Sequence, residues 1–79
     1  MDETIFKSAE EVLAYLKTNQ PTGGLFQLAI SDSLTFSGQP DTMGAGMAVI
    51  LDEILGLGYE PVGFDQKDGY KLYYYKQME

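Results

Sequence analysis

The chain has 79 residues and contains no histidine, cysteine, arginine or tryptophan. Without histidine or cysteine, the commonest routes to acid–base catalysis, to covalent catalysis and to zinc binding are closed. Twelve acidic residues against five basic ones give a net charge of −7, and no basic residue lies between Lys17 and Lys67, which argues against nucleic acid and anionic membranes as partners.

The composition predicts one globular domain, residues 1–79. The chain is 44% hydrophobic and 22% charged, which is typical of folded domains. The first residues, from Met1 to Phe6, contain neither a basic region nor an apolar leader, and no later stretch approaches the ~18 apolar residues of a membrane span. We therefore expect a soluble, cytoplasmic protein.

The first predicted element is a helix over residues 9–18. Ser8 and Glu11 form the S-x-x-E pattern of a capping box, which begins a helix by satisfying free backbone N–H groups. Asn19 and Pro21 supply a stop signal. Apolar residues recur at helical spacing in between: Ala9, Val12, Leu13 and Leu16.

Two short strands are predicted next, as a hairpin. Residues 25–30 and 34–36 alternate apolar and other side chains, and Ser31-Asp32-Ser33 between them is typical of a turn. Gly38-Gln39-Pro40 should then break the second strand.

A second helix follows, with a wide apolar face that makes it the central element of the core. Asp41 or Thr42 can cap its start through a side-chain oxygen, and Gly56 and Gly58 offer left-handed positions at its end. Its apolar residues lie at helical spacing: Met47, Ile50, Leu51 and Ile54.

The chain closes with a second predicted hairpin over residues 62–76. Asp68-Gly69 between two β-rich runs is a strong hairpin signal. Together the elements predict an α+β domain of order α-β-β-α-β-β. In it, a four-stranded antiparallel sheet is covered on one face by two helices.

No motif in the sequence has a catalytic, cofactor-binding or metal-binding pattern. Met43-Gly44-Ala45-Gly46-Met47 resembles a small-residue loop that offers backbone N–H groups to an anion, but we interpret its glycines as allowing this helix start to lie close to the sheet. Residues 65–69 lack the spacing of a calcium loop and are interpreted as a turn. Solvated helix faces, caps and turns explain the acidic pairs and the serines.

The tyrosines are the feature that points most to function. Tyr73 and Tyr75 alternate with Leu72 and Tyr74 along one strand, so if the latter pair faces the helices, Tyr73 and Tyr75 stand on the helix-free face. Tyrosine is enriched at protein interfaces, although β-propensity alone also places it on half-exposed sheets. We predict that Tyr73, Tyr75 and the nearby Tyr59 bind a partner.

These observations favour a small, acidic, non-enzymatic interaction or regulatory domain. Its partner is expected to be a protein, either one with a basic surface or a second copy of the chain. One alternative is a small-molecule binder with a pocket between sheet and helices or at a dimer interface. A winged-helix nucleic-acid binder is the weaker alternative, because the reading helix would present Asp52 and Glu53 and no arginine, asparagine or glutamine.

Overall fold

The computed structural model describes residues 4–79. These residues form a small α+β domain with two helices and five strands. In chain order the elements are β1 (Ile5–Ser8), α1 (Ala9–Thr18), β2 (Leu25–Phe36), β3 (Gln39–Pro40), α2 (Ala45–Gly56), β4 (Tyr59–Gln66) and β5 (Tyr70–Gln77). Within this described part of the chain, neither helix is long and apolar enough to cross a lipid bilayer.

The sheet is mixed, so the prediction of four antiparallel strands was wrong. Its strand order is β1-β2-β5-β4, and the short β3 pairs with the end of β2. β1 runs parallel to β2, whereas the other pairs are antiparallel. Sequence reasoning missed β1 because a strand of four residues is too short to show a period, and it runs directly into the capping box of α1.

The first predicted hairpin was also wrong, because residues 25–36 form one strand. The polar residues 31–33 lie in an irregular stretch, where the register between β1 and β2 shifts. The chain instead reverses at Ser37-Gly38, where both residues have positive φ, 54° and 78°. Positive φ at both central residues is the geometry of a tight two-residue hairpin turn, and this turn connects β2 to β3.

α1 spans the predicted residues and uses the predicted cap. The Glu11 backbone N–H donates to Ser8 Oγ at 3.1 Å, and the Ser8 hydroxyl lies 3.3 Å from the Glu11 carboxylate. Ala9, Val12 and Leu16 are fully buried. The helical stripe read from the sequence is therefore the stripe that faces the core.

Asp41 caps the start of α2, as one of the two predicted alternatives stated. It does so from a position before the N-cap residue rather than as the N-cap residue itself. Gly44 occupies the N-cap position with a φ of 77° and makes no side-chain bond. The backbone N–H groups of Gly46 and Met47 instead donate to the two carboxylate oxygens of Asp41, at 2.9 and 3.1 Å. The free N–H groups that could have bound an external anion are thus occupied by the protein's own carboxylate.

Both helices pack on the same face of the sheet, and the core lies between them. The largest fully buried side chains come from the helices, and β2 contributes alternate residues to the same cluster. The start of α2 approaches the rest of the core very closely at Gly46. A Cβ atom there would lie 3.0 Å from the Phe36 Cβ and 3.1 Å from the Ala9 Cβ, which confirms that this glycine permits close packing.

Candidate functional site

The structure places Tyr73 and Tyr75 on the helix-covered face, so the predicted face was wrong. Tyr73 lies opposite Leu28 and Tyr75 opposite Phe26 in the β2–β5 register, and opposite residues of an antiparallel pair share a face. Leu28 belongs to the core beneath the helices. The sequence analysis considered Leu72 as facing the helices. In the structure it lies on the helix-free face, opposite Ala29.

Two of the three predicted tyrosines are buried. Tyr59 and Tyr75 are each only 3% exposed, and the Tyr59 hydroxyl donates to the Gly23 carbonyl. Burial raises the pKa of the Tyr75 phenol far above its usual value, with a smaller contribution from the adjacent Tyr73. These two residues therefore serve the core, and Tyr73, which is half-buried, is the one that retains a surface for a partner.

A row of aromatic rings, termed here the aromatic row, crosses the sheet from the core to the surface. Tyr59 and Tyr75 each lie 4.9 Å from the ring centre of Phe26. The centroid of Tyr73 lies 6.5 Å from that of Tyr75 and 5.5 Å from that of Phe64. The buried end of the row rigidifies its exposed end, because each ring packs on the next.

An apolar groove of about 340 Å³ opens beside this row, between α2 and the strands β4 and β5. It exists because β4 is the outermost strand and α2 leaves the helix side of β4 partly uncovered. We term it the α2–β4 groove. Its lining is almost wholly apolar and includes Met47, Ala48, Leu51, Pro61, Tyr73 and Tyr75.

The apolar surface continues beyond the groove on both of its walls. On β4, Val62 and Phe64 are 51% and 53% exposed, and on α2, Leu51 and Leu55 are 38% and 41% exposed. Sequence analysis assigned Leu51 to the core. The sequence analysis noted the width of the α2 apolar face but interpreted all of it as core, whereas the face carries a second, exposed stripe next to the buried one.

The charged side chains of α2 and β4 do not line the groove. α2 and β4 together carry four carboxylates and no basic residue: Asp52, Glu53, Glu60 and Asp65. Glu60 and Asp65 lie opposite Lys76 and Leu72, on the helix-free face of the sheet. Lys71 lies on the helix-covered face instead, where its ammonium pairs with Asp32 at 3.0 Å and lies 6.0 Å from the centre of the Phe64 ring. The hydrogen bond to Asp32 is also the main reason that the pKa of Lys71 is raised.

The helix-free face of the sheet offers a less open surface. Ala29 and Leu72 at its centre are 4% and 8% exposed, and the Tyr74 hydroxyl donates to the Asp65 carboxylate at 2.6 Å. Among residues 4–79, no three carboxylates converge in a way that could hold a metal ion. The α2–β4 groove is therefore the strongest candidate site in the described part of the chain.

No known protein family model matches this sequence, and the comparisons with curated proteins and with solved structures likewise return no significant match.

Proposed function

We propose that this protein is a non-enzymatic interaction domain that binds a segment of a basic protein partner in the α2–β4 groove. The observation that carries the proposal is the open apolar groove, flanked by the half-exposed side chains of Val62 and Phe64. Contiguous apolar surface of this kind is unusual on a monomer and is typical of interaction sites. We also propose a cytoplasmic location, since a chain without cysteine needs no oxidising compartment to fold.

The aromatic row makes the groove suited to binding, because it holds Tyr73 in place. Tyr73 is held between Tyr75 and Phe64, so little side-chain entropy is lost when a partner covers it. Completing the burial of an aromatic or aliphatic side chain that is about half exposed contributes on the order of 1 kcal/mol. Leu51, Val62, Phe64 and Tyr73 together would supply the central anchor of a modest interface.

The net charge of the chain, −7, supports a basic partner. Asp52 is exposed on α2, whereas Glu60 and Asp65 lie on the helix-free face of the edge strand β4. An excess of negative charge accelerates association with a cationic surface without fixing where on the chain that surface binds.

A small apolar ligand is the second candidate, and the size of the groove favours it. A volume of about 340 Å³ lies at the lower end of the range for ligand pockets. Such pockets also contain several polar groups that fix the ligand's orientation. The only polar side chains among the groove's lining residues are Tyr73 and the buried Tyr75, so a protein segment fits the site better.

Site-specific photo-cross-linking tests the proposal. A benzophenone amino acid would replace Phe64 at the groove, and in a matched variant Leu25, which is 72% exposed on β2. Leu25 is a suitable control because it lies opposite Lys76, on the helix-free side of the sheet. Both variants would be irradiated in lysate of the source organism, and any adduct would be identified by mass spectrometry.

The expected result is a protein adduct formed from position 64 and not from position 25. The purified partner should then bind the wild-type chain in calorimetry and lose about tenfold in affinity with Leu51→Ser, equivalent to about 1.4 kcal/mol. Binding should weaken with added salt. Equal adducts from both positions, or affinity that is unchanged by Leu51→Ser, would show that the groove is not the binding site.

A further inference from the structure

We infer that the α2–β4 groove is specific for a tyrosine side chain of the partner, which hydrogen-bonds to the hydroxyls of Tyr75 and Tyr73. This inference rests on the proposed function and names the group that enters the groove. Three observations carry it: an almost fully buried tyrosine whose hydroxyl has no hydrogen-bond partner among residues 4–79, a second such hydroxyl beside it, and walls without charge.

The hydroxyl of Tyr75 opens into the groove. Tyr75 is only 3% exposed, and its hydroxyl makes no hydrogen bond within the described part of the chain. Within the same residues, no fully buried polar side-chain atom lacks a hydrogen-bond partner, so this hydroxyl is not fully enclosed. Tyr75 lines the α2–β4 groove and neither of two smaller cavities of the domain. The open side of the hydroxyl is therefore the groove.

Tyr73 adds a second hydroxyl of the same kind. It lines the groove together with Tyr75, is half-buried, and its hydroxyl likewise has no hydrogen-bond partner among residues 4–79. The two rings stack with their centroids 6.5 Å and their planes 21° apart, so both hydroxyls are held on the β5 side of the groove. The equally buried Tyr59 differs, because its hydroxyl donates to the Gly23 carbonyl.

These hydroxyls oppose a purely apolar occupant. Water reaches them in the open groove, and a group that displaces this water without replacing its hydrogen bonds leaves both hydroxyls unsatisfied. A site that hydrogen-bonds its ligand therefore discriminates against the analogue that lacks the polar group. Burial keeps the Tyr75 phenol protonated, since its pKa is raised far above its usual value, so this hydroxyl is a donor that needs an acceptor.

Tyrosine is the side chain that meets these requirements. No charged residue lines the groove and its other walls are apolar, so a carboxylate or an ammonium group would be buried there without a partner. The entering group must combine an apolar body with a neutral acceptor at its tip. Serine, threonine and the amides lack that body, tryptophan offers only a donor, and methionine only a weak acceptor. A tyrosine hydroxyl both accepts and donates, and its ring would extend the aromatic row.

Two short peptides with blocked ends test the inference. Each has two leucines around a central residue, which is tyrosine in one peptide and phenylalanine in the other. The peptides differ by a single oxygen atom, so a difference in affinity reports on the hydroxyl alone. Each is titrated into the ¹⁵N-labelled chain, and dissociation constants are obtained from the shifted amide signals. p-Cresol and toluene are titrated in parallel as the corresponding free ligands.

The tyrosine peptide should bind about tenfold more tightly than the phenylalanine peptide, or about 1.4 kcal/mol, and should shift amides of α2 and β5. Tyr75→Phe should remove most of this preference, because no buried hydroxyl is then left unpaired by phenylalanine. Tyr59→Phe is the matched control and should leave the preference unchanged. In urea unfolding, Tyr59→Phe should lower the midpoint and Tyr75→Phe should not, since only Tyr59 loses a hydrogen bond within the protein.

Other results would overturn the inference. If the two peptides bind equally and Leu51→Ser weakens both, the inference fails while the proposed function stands. The inference also fails if the preference persists in Tyr75→Phe and in Tyr73→Phe. If Leu51→Ser weakens neither peptide, the groove is not the binding site and the proposed function fails as well.

Three further outcomes would assign the groove differently. If p-cresol binds as tightly as the tyrosine peptide, the groove takes a free phenol and not a protein segment. A concentration-dependent dimer in sedimentation that Leu51→Ser abolishes would assign the groove to a second copy. If neither peptide shifts amides of α2 and β5, the inference fails, and the cross-link from position 64 then decides the proposed function separately.

Discussion

Replacing Gly46 by alanine should destabilise this protein, although alanine is the better helix former. At a solvent-exposed position in a helix, this substitution would raise the free energy of unfolding by about 1 kcal/mol. Here the new methyl group would lie 3.0 Å from the Phe36 Cβ, 3.1 Å from the Ala9 Cβ and 3.1 Å from a carboxylate oxygen of Asp41. Two of these neighbours are Cβ atoms that cannot move without their backbones.

The magnitude follows from competing effects. Overpacking a close contact costs about 1–3 kcal/mol, and moving Asp41 weakens a cap worth about 1 kcal/mol. After subtracting the gain in helix propensity, we expect Gly46→Ala to lower the free energy of unfolding by about 1–3 kcal/mol. For a domain of this size, that lowers the melting temperature by roughly 4–24 °C.

Gly56→Ala is the matched control, because Gly56 ends the same helix and a methyl group added there would meet no other atom within 4 Å. It should be neutral or stabilising by up to about 1 kcal/mol. Both variants are measured by urea unfolding followed by circular dichroism. In a double-mutant cycle, Ala9→Gly should relieve part of the cost of Gly46→Ala. If Gly46→Ala is as stable as Gly56→Ala, the close approach of α2 is not as tight as described.

Three further predictions concern caps and a buried phenol. Asp41→Ala should lower the free energy of unfolding by about 1–2 kcal/mol, because two N–H groups of α2 lose their acceptor; urea unfolding at neutral pH measures this, and an unchanged midpoint would contradict it. Ser8→Ala should lower the free energy of unfolding by about 1 kcal/mol, because α1 loses its cap; a urea midpoint equal to that of the wild type would contradict this. The raised pKa of Tyr75 means that its contribution is fully present below pH ~10, where an unfolded tyrosine keeps its proton, and is lost as pH rises further, by up to about 1.4 kcal/mol per pH unit. Tyr75→Phe should flatten that decline in pH-dependent unfolding, and an equally steep decline would show that other groups cause it.

Local signals in the sequence predicted the helices and the last hairpin well. The boundaries of α1 coincide with the prediction, because Ser8 and Glu11 make a local contact that depends on nothing distant. The turn at Asp68-Gly69 joins β4 to β5 for the same reason. Where neighbouring residues alone decide the conformation, the sequence was sufficient.

The errors arose where distant contacts decide the structure. Residues 31–33 have turn composition, but β2 pairs with β5 as far as Ser31 and with β1 on both sides of this stretch, and these distant contacts keep the chain in one strand. The strand period showed that Tyr73 and Tyr75 share a face, yet it could not say which face the helices cover. The groove was not predictable at all, since it depends on how far α2 extends across the sheet.

The junction between β1 and α1 has a consequence for how this end of the domain tolerates insertion. Ser8 is both the last residue of β1 and the cap of α1, so no linker separates strand from helix. Phe6, two residues earlier, belongs to the core beneath the helices. One residue inserted after Phe6 would turn that ring to the opposite side of the sheet. The position of the helix start therefore sets the register of the first strand.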